Sequence, residues 1–168
     1  MQMNRAKAWI IFAIGVVLLV ALDLWLKYWA EANLRGNPPR VLINGLLGLT
    51  YHENPGAAFG LFGGFGGAQW GLSIVKIVIL LVLLWYYYKL PLEKKYWLTR
   101  VPLIMIFAGG LGNLYDRVGN GIVRDMLEFL FMNFAIFNLA DVFVVVGVIA
   151  LLAFELLVVK DFTGPEKK

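Results

Sequence analysis

Two aspartates, Asp125 and Asp141, carry the strongest chemical potential in this chain. Carboxylates brought together in a poorly solvated place cannot both ionise easily, so they share a proton and their titration belongs to the pair. Such a pair is base and acid at once. One member can take a proton from water while the other donates to a peptide carbonyl oxygen, which hydrolyses an amide without metal, thiol or histidine. Asn138 lies one helical turn before Asp141 and on its face, placed to orient a carboxylate or a substrate carbonyl. Structural roles compete with this reading: Asp125 pairing with Arg117 or Arg124, and Asp141 capping a helix where an acid suits the N-terminal dipole.

Further polar groups recur at helical spacing. Asp23 and Lys27 are four apart with the acid first, the favourable order for an ion pair that could orient its helix. Asn113 is one turn from both Asp116 and Arg117, a group that could clamp helices or let Arg117 seek a carboxylate or lipid phosphate. Just upstream, Ala108 and Gly112 with Gly109-Gly110 suit close helix packing. Ser73-x-x-Lys76 offers an alternative serine nucleophile, which needs a neutral lysine and an accessible hydroxyl. With no cysteine and one histidine, His52, the chain has no disulfide or thiol chemistry, and neither a metal site nor a cofactor is expected. The glycine-rich run Gly60 to Gly67 lacks the Gly-Lys-Ser/Thr ending of a phosphate loop and reads as a lid or interfacial loop.

The elements that must position these residues are transmembrane. Of 168 residues 61% are hydrophobic and 15% charged, against about 45–50% and about 25% in soluble domains, so a water-soluble enzyme is excluded. A net charge of +4 without a basic polar face gives no footprint for nucleic acid. Crossing the hydrocarbon core takes about 20 apolar residues. Four stretches meet that length, at about 9–29, 70–88, 98–115 and 136–159, with aromatic residues such as Trp25, Trp29, Trp85 and Trp97 marking their ends. Nine lysines and arginines fall in the terminal segments and the short second connection, four in the other two connections, which predicts cytoplasmic termini and extracytoplasmic segments at about 30–69 and 116–135. The first of these has hairpin and turn chemistry, with apolar runs broken by Asn44-Gly45 and Pro55-Gly56. The basic start and Ala30-Glu31-Ala32 mimic a secretory signal, but Asp23 and Lys27 interrupt it, so an uncleaved single membrane domain over 1–168 is expected. Ionisable groups at membrane depth are functional candidates by default, and Asp23, Lys27, Asn113, Asp116, Arg117, Asn138 and Asp141 all fall at outward helix ends, with Asp125 between the last two spans. A non-enzymatic use of the same acids would be a proton relay in a small transporter or channel.

Five segments together resemble the lipoprotein signal peptidase (signal peptidase II) family over nearly the whole chain. They are Asp23-x-x-x-Lys27, Asn54-Pro55-Gly56-Ala57-Ala58-Phe59-Gly60, Gly109-Gly110-Leu111-Gly112-Asn113-Leu114-Tyr115-Asp116-Arg117, Val123-Arg124-Asp125 and Phe137-Asn138-Leu139-Ala140-Asp141. The resemblance implies an α-helical integral membrane protein with four transmembrane helices, a small extracytoplasmic β-rich platform and an interfacial loop or helix. It implies an aspartic peptidase with Asp125 and Asp141 as the catalytic pair. Asn54, Asn113, Arg117 and Asn138 would then organise or bind substrate, and Asp23, Lys27 and Asp116 would support the scaffold. The implied substrate is a diacylglyceryl-modified bacterial prolipoprotein, cut N-terminal to its lipidated cysteine by a monomeric enzyme surrounded by lipids in the cytoplasmic (inner) membrane. Arg124 stands where the family commonly has an aliphatic residue and Val142 where it often has a small polar one; the arginine would favour an ionised Asp125.

Overall fold

The computed structural model describes residues 4–55 and 68–162. The glycine-rich run Gly60 to Gly67, the segment from Gly56 to Phe59 and the terminal lysines 167 and 168 lie outside the described residues. Helices α1 (Arg5–Leu34), α2 (Ala68–Lys89), α3 (Trp97–Asn120) and α4 (Leu139–Phe162) assemble with strands β1 (Arg40–Ile43), β2 (Leu47–Asn54) and β3 (Val123–Phe129). Among the described residues, Arg5–Leu34, Lys94–Asn120 and Leu139–Leu156 are long and apolar enough to cross a membrane.

Helix α1 starts where the Asn4 side chain accepts the backbone N–H of Lys7 at 2.7 Å. Its 30 residues span about 45 Å, more than a hydrocarbon core requires, so it outruns the predicted span and reaches the sheet. The buried positions Ala8, Phe12, Val16, Asp23, Lys27, Ala30 and Leu34 repeat every three, four or seven residues and form one stripe. At one end that stripe packs Phe12 and Val16 against Tyr87, Leu103 and Ala108. At the other, Ala30 and Leu34 pack on Met126, Leu49 and Tyr51 of the sheet.

Helix α3 is the centre of the bundle: it packs against α1, α2 and α4 and buries more of its apolar stretch than α1 or α4 does. It runs past the predicted end at Tyr115 to Asn120, because only Gly121, at φ +71°, takes the left-handed conformation that returns its N–H to the Arg117 carbonyl. The glycines of α3 are contact points. A Cβ on Gly109 would collide with the Ala140 carbonyl oxygen, and one on Gly112 with the Asp23 carboxylate, so these positions set how closely α3 approaches α4 and α1. Because the obstruction at Gly109 is backbone, Gly109→Ala should push the start of α4 outward. The expected result is a loss of about 1–3 kcal/mol, read as a lower thermal midpoint in detergent.

Arg100, one of the nine cations counted around the cytoplasmic segments, is buried at 1% exposure. Its guanidinium donates to the carbonyls of Leu90 at 3.0 Å and Pro91 at 3.1 Å and lies over the Tyr87 ring, closing the end of α2. The Tyr87 hydroxyl in turn donates to the Ala8 carbonyl at 2.8 Å, tying α2 to α1.

The sheet is antiparallel in the order β1-β2-β3. Gly45, at φ +69°, makes the β1–β2 turn that Asn44-Gly45 signals. Strand β3 comes from the second connection, and its register sets Asp125 opposite His52 and Val123 opposite Asn54. Beyond it, Phe137 exchanges backbone hydrogen bonds with Leu127 at 2.8 and 3.0 Å, so the chain stays extended through 137 and α4 begins at Leu139, three residues after the predicted start.

Candidate active site

Asn138 is the N-cap of α4, and the local sequence explains why. Its side-chain oxygen accepts the Asp141 N–H at 3.0 Å, while Asp141 reaches back to accept the Asn138 N–H at 3.2 Å. This is a reciprocal capping box, with Asp in the place usually held by Glu. The Ala140 N–H donates to Asp23 of α1 at 2.9 Å, so three of the donors that the helix start leaves open, on Asn138, Ala140 and Asp141, are satisfied. Asp141 therefore has one oxygen fixed by its own helix start. Its other oxygen accepts the Asn113 amide of α3 at 2.7 Å.

Asp125, on β3, is 1% exposed and held by two amides from other elements. Asn138 donates to one oxygen at 2.6 Å and Asn54, at the end of β2, donates to the second at 3.0 Å. Asn138 also donates to the Asn113 oxygen at 3.0 Å. Asp141, Asn113, Asn138 and Asp125 thus form one hydrogen-bonded run across α3, α4 and β3. Lys27 fixes its polarity. An ammonium can only donate, and Lys27 donates to the Asn113 oxygen at 3.0 Å, so the Asn113 NH₂ must face Asp141.

Lys27 is wholly buried and gives its remaining donors to Asp23 at 2.8 Å and Asp116 at 3.3 Å. Asp116 also receives Arg124, through the side chain and through the Arg124 backbone N–H at 3.2 Å. Arg124 continues to Glu31 at 3.1 Å and stacks on Tyr28. Successive strand residues point to opposite faces, so Arg124 turns toward α1 and α3 while Asp125 turns into the cavity. The expectation that Arg124 would favour an ionised Asp125 is corrected by this alternation. Burial pushes the Asp125 carboxyl up to about 6, the neighbouring charge of Asp141 adds to the rise, and the Asn54 and Asn138 amides oppose it.

Both aspartates line one cavity of about 560 Å³, with Asn54, Asn113, Arg117 and Lys76 as its other polar groups. The remaining wall is apolar, formed by Phe129, Phe134, Ile136, Phe137, Val142, Val145 and Val146 among others. Asn138 lies beneath this surface, and Asp23, Lys27 and Asp116 form the buried layer behind it. Of the Ser73-x-x-Lys76 pair only the lysine reaches the cavity; Ser73 is buried. No cluster of three or more His, Asp or Glu suited to a metal occurs among the described residues. Sequence reasoning passed over Glu31 as part of a small-residue run, although it continues the Asp23–Lys27 stripe by one further step of four.

A polar run seated between apolar walls, able to present a carboxylate pair to a bound amide, fits peptide hydrolysis, and known proteins of similar sequence point the same way. A family model described as signal peptidase (SPase) II matches residues 15–157. The lipoprotein signal peptidase of Streptococcus pneumoniae is 39% identical over 142 residues, covering 84% of this chain and 90% of that protein. That of Lactococcus lactis subsp. lactis is 35% identical over 166 residues, covering 99% and 100%. A solved bacterial membrane enzyme, determined by the in meso method at 2.3 Å, aligns with a TM-score of 0.73 at 27% identity over 99% of this chain and 96% of its own. The chain belongs to the signal peptidase II family.

Proposed function

We propose that this protein is a membrane aspartic endopeptidase that removes the signal peptide from diacylglyceryl-modified bacterial prolipoproteins, cutting N-terminal to the lipidated cysteine. The observation that carries the reading is the placement of Asp125 and Asp141 on one cavity, with every carboxylate oxygen accepting a hydrogen bond from a fixed donor. In the reaction one carboxylate takes a proton from a water as its oxygen attacks the scissile carbonyl carbon. The other, protonated, donates to the carbonyl oxygen and gives a neutral gem-diol. Collapse breaks the C–N bond, the first carboxyl passes its proton to the leaving nitrogen, and the second recovers its own from the diol. Asn54, Asn113 and Asn138 hold the pair, Arg117 borders the substrate, and Asp23, Lys27 and Asp116 support the layer behind.

All four helices, α2 included, cross the cytoplasmic membrane as a single domain over 1–168, with cytoplasmic termini and the sheet on the extracytoplasmic side. A monomer suffices, because the cavity is lined from α2, α3, α4, β2 and β3 of one chain. The apolar wall suits a substrate that arrives by lateral diffusion, its signal helix among the spans and its scissile bond at the interface.

The test is cleavage of a synthetic diacylglyceryl-modified precursor by the purified protein in detergent, with the fragments identified by mass. Because burial lets Asp125 hold its proton up to about pH 6, the one-proton pair is depleted as pH rises through that value. The expected kcat/KM therefore bends downward above about pH 6. Failure to cut the lipidated precursor, combined with proton flux in proteoliposomes, would overturn the peptidase reading in favour of a relay.

A further inference from the structure

Lys76 is the one cation on α2 that reaches the cavity, half-buried beside Asn113 and Asp141. It also lines a smaller cavity of about 230 Å³ between α2, α3 and α4, whose other walls include Ile79, Leu83, Ile106 and Val144. Among the described residues its ammonium makes no hydrogen bond or ion pair, unlike Lys27, which uses three acceptors. A lysine in an apolar helix is costly unless its charge is used, and helix packing alone would be better served by an aliphatic residue.

The charges facing Lys76 are Arg117 on α3, Asp141 on α4, Asp125 on β3 and Lys27 on α1, with Asp23, Asp116, Arg124 and Glu31 in the layer behind them. Lys27 and Arg124 are paired with Asp23, Asp116 and Glu31, whereas Arg117, like Lys76, lines the cavity with the aspartate pair. Arg35, at the exposed edge, matches Glu53. The cavity thus brings two cations, Arg117 and Lys76, to the aspartate pair. Four cations, Lys27, Arg117, Arg124 and Lys76, balance the three acids behind the cavity and the single negative charge of a pair carrying one proton; without Lys76 the count is one cation short.

We infer that Lys76 is a positioning residue that supplies the counter-charge of the aspartate pair, keeping one carboxylate ionised inside the bundle. The inference rests on the aspartic-peptidase reading above, and it gives the second half of the Ser73-x-x-Lys76 motif a role that needs no serine nucleophile. A positive charge facing the pair favours loss of each of its protons. Removing that charge moves both limbs of the activity profile to higher pH.

The test compares kcat/KM from pH 4 to 9 on a diacylglyceryl-modified precursor peptide for the full-length wild type, Lys76→Met, Lys76→Arg and Ser73→Ala. Methionine keeps the length and apolar bulk of lysine, so the variant differs mainly in charge. The expected result is that Lys76→Met shifts both limbs upward by about one unit, while Lys76→Arg stays with the wild type. Ser73→Ala should also retain the wild-type profile. Superimposable Lys76→Met and wild-type profiles would overturn the inference. So would equal depression of Lys76→Met and Lys76→Arg at every pH, which marks a packing role, or inactive Ser73→Ala and Lys76→Met together, which marks a serine hydrolase. Each outcome is separate from failure of the aspartic reading, which appears as normal turnover in an Asp125 or Asp141 variant.

Discussion

Asp125→Asn and Asp141→Asn each reduce cleavage of the lipidated precursor by at least about 10³-fold, because removing either carboxyl takes away the acid and the base that act as a unit. The folded structure tolerates both changes for a definable reason. At Asp125 the substitution removes a carboxylate that burial disfavours, which stabilises, but it turns an NH₂ toward either Asn54 or Asn138, both of which already donate. The two effects oppose each other, and the thermal midpoint should stay within a few degrees of wild type. At Asp141 the loss of charge weakens the interaction with the start of α4 by roughly 0.3–1 kcal/mol, and the new NH₂ meets either the Asn113 amide or the Asn138 N–H, both donors, at a further cost of about 1–3 kcal/mol, still small beside the loss of turnover. Measuring activity and melting on the same preparations separates chemistry from folding. Turnover within tenfold of wild type in either variant would exclude the pair as the catalytic unit.

Hydropathy is a local property, so the long apolar helices could be read directly from the chain, whereas features made by distant partners could not. The start of α4 illustrates this. Ile136 and Phe137 are as apolar as the helix beyond them, and only the pairing of Phe137 with Leu127, together with the Asn138–Asp141 box, delays the helix to Leu139. Strand β3 was equally hidden: the Asn120-Gly121 of the second connection ends α3 and makes no hairpin, and the partner of Val123–Phe129 is β2, about 70 residues upstream. Once β3 is seen, the separate fates of Arg124 and Asp125 come directly from strand alternation. The polar residues at the helix ends were individually visible because charge is rare in lipid. Their wiring was not: nothing in the spacing says that Asn138 faces Asp125, or that Arg124 passes over Asp116 to reach Glu31.

Lys27→Met should be the most damaging single change to stability. Lys27 is 0% exposed and neutralises two carboxylates from different helices, Asp23 at 1% and Asp116 at 0% exposure. Asp116 keeps Arg124 when the ammonium is lost, whereas Asp23 keeps only the Ala140 N–H. An uncompensated buried carboxylate typically costs about 3–5 kcal/mol, much more than methionine recovers in apolar contact. The consequences extend to the site, because the Asn113 oxygen loses one of its two donors and is held by Asn138 alone, which loosens the amide that binds Asp141. The double variant Lys27→Met, Asp23→Asn removes the orphaned charge and should recover at least about half of the lost stability while leaving the activity defect in place. Thermal midpoints of the single and double variants in one detergent, set against cleavage rates, test both steps: a double variant no more stable than Lys27→Met would show that Asp23 is not the group that lysine neutralises.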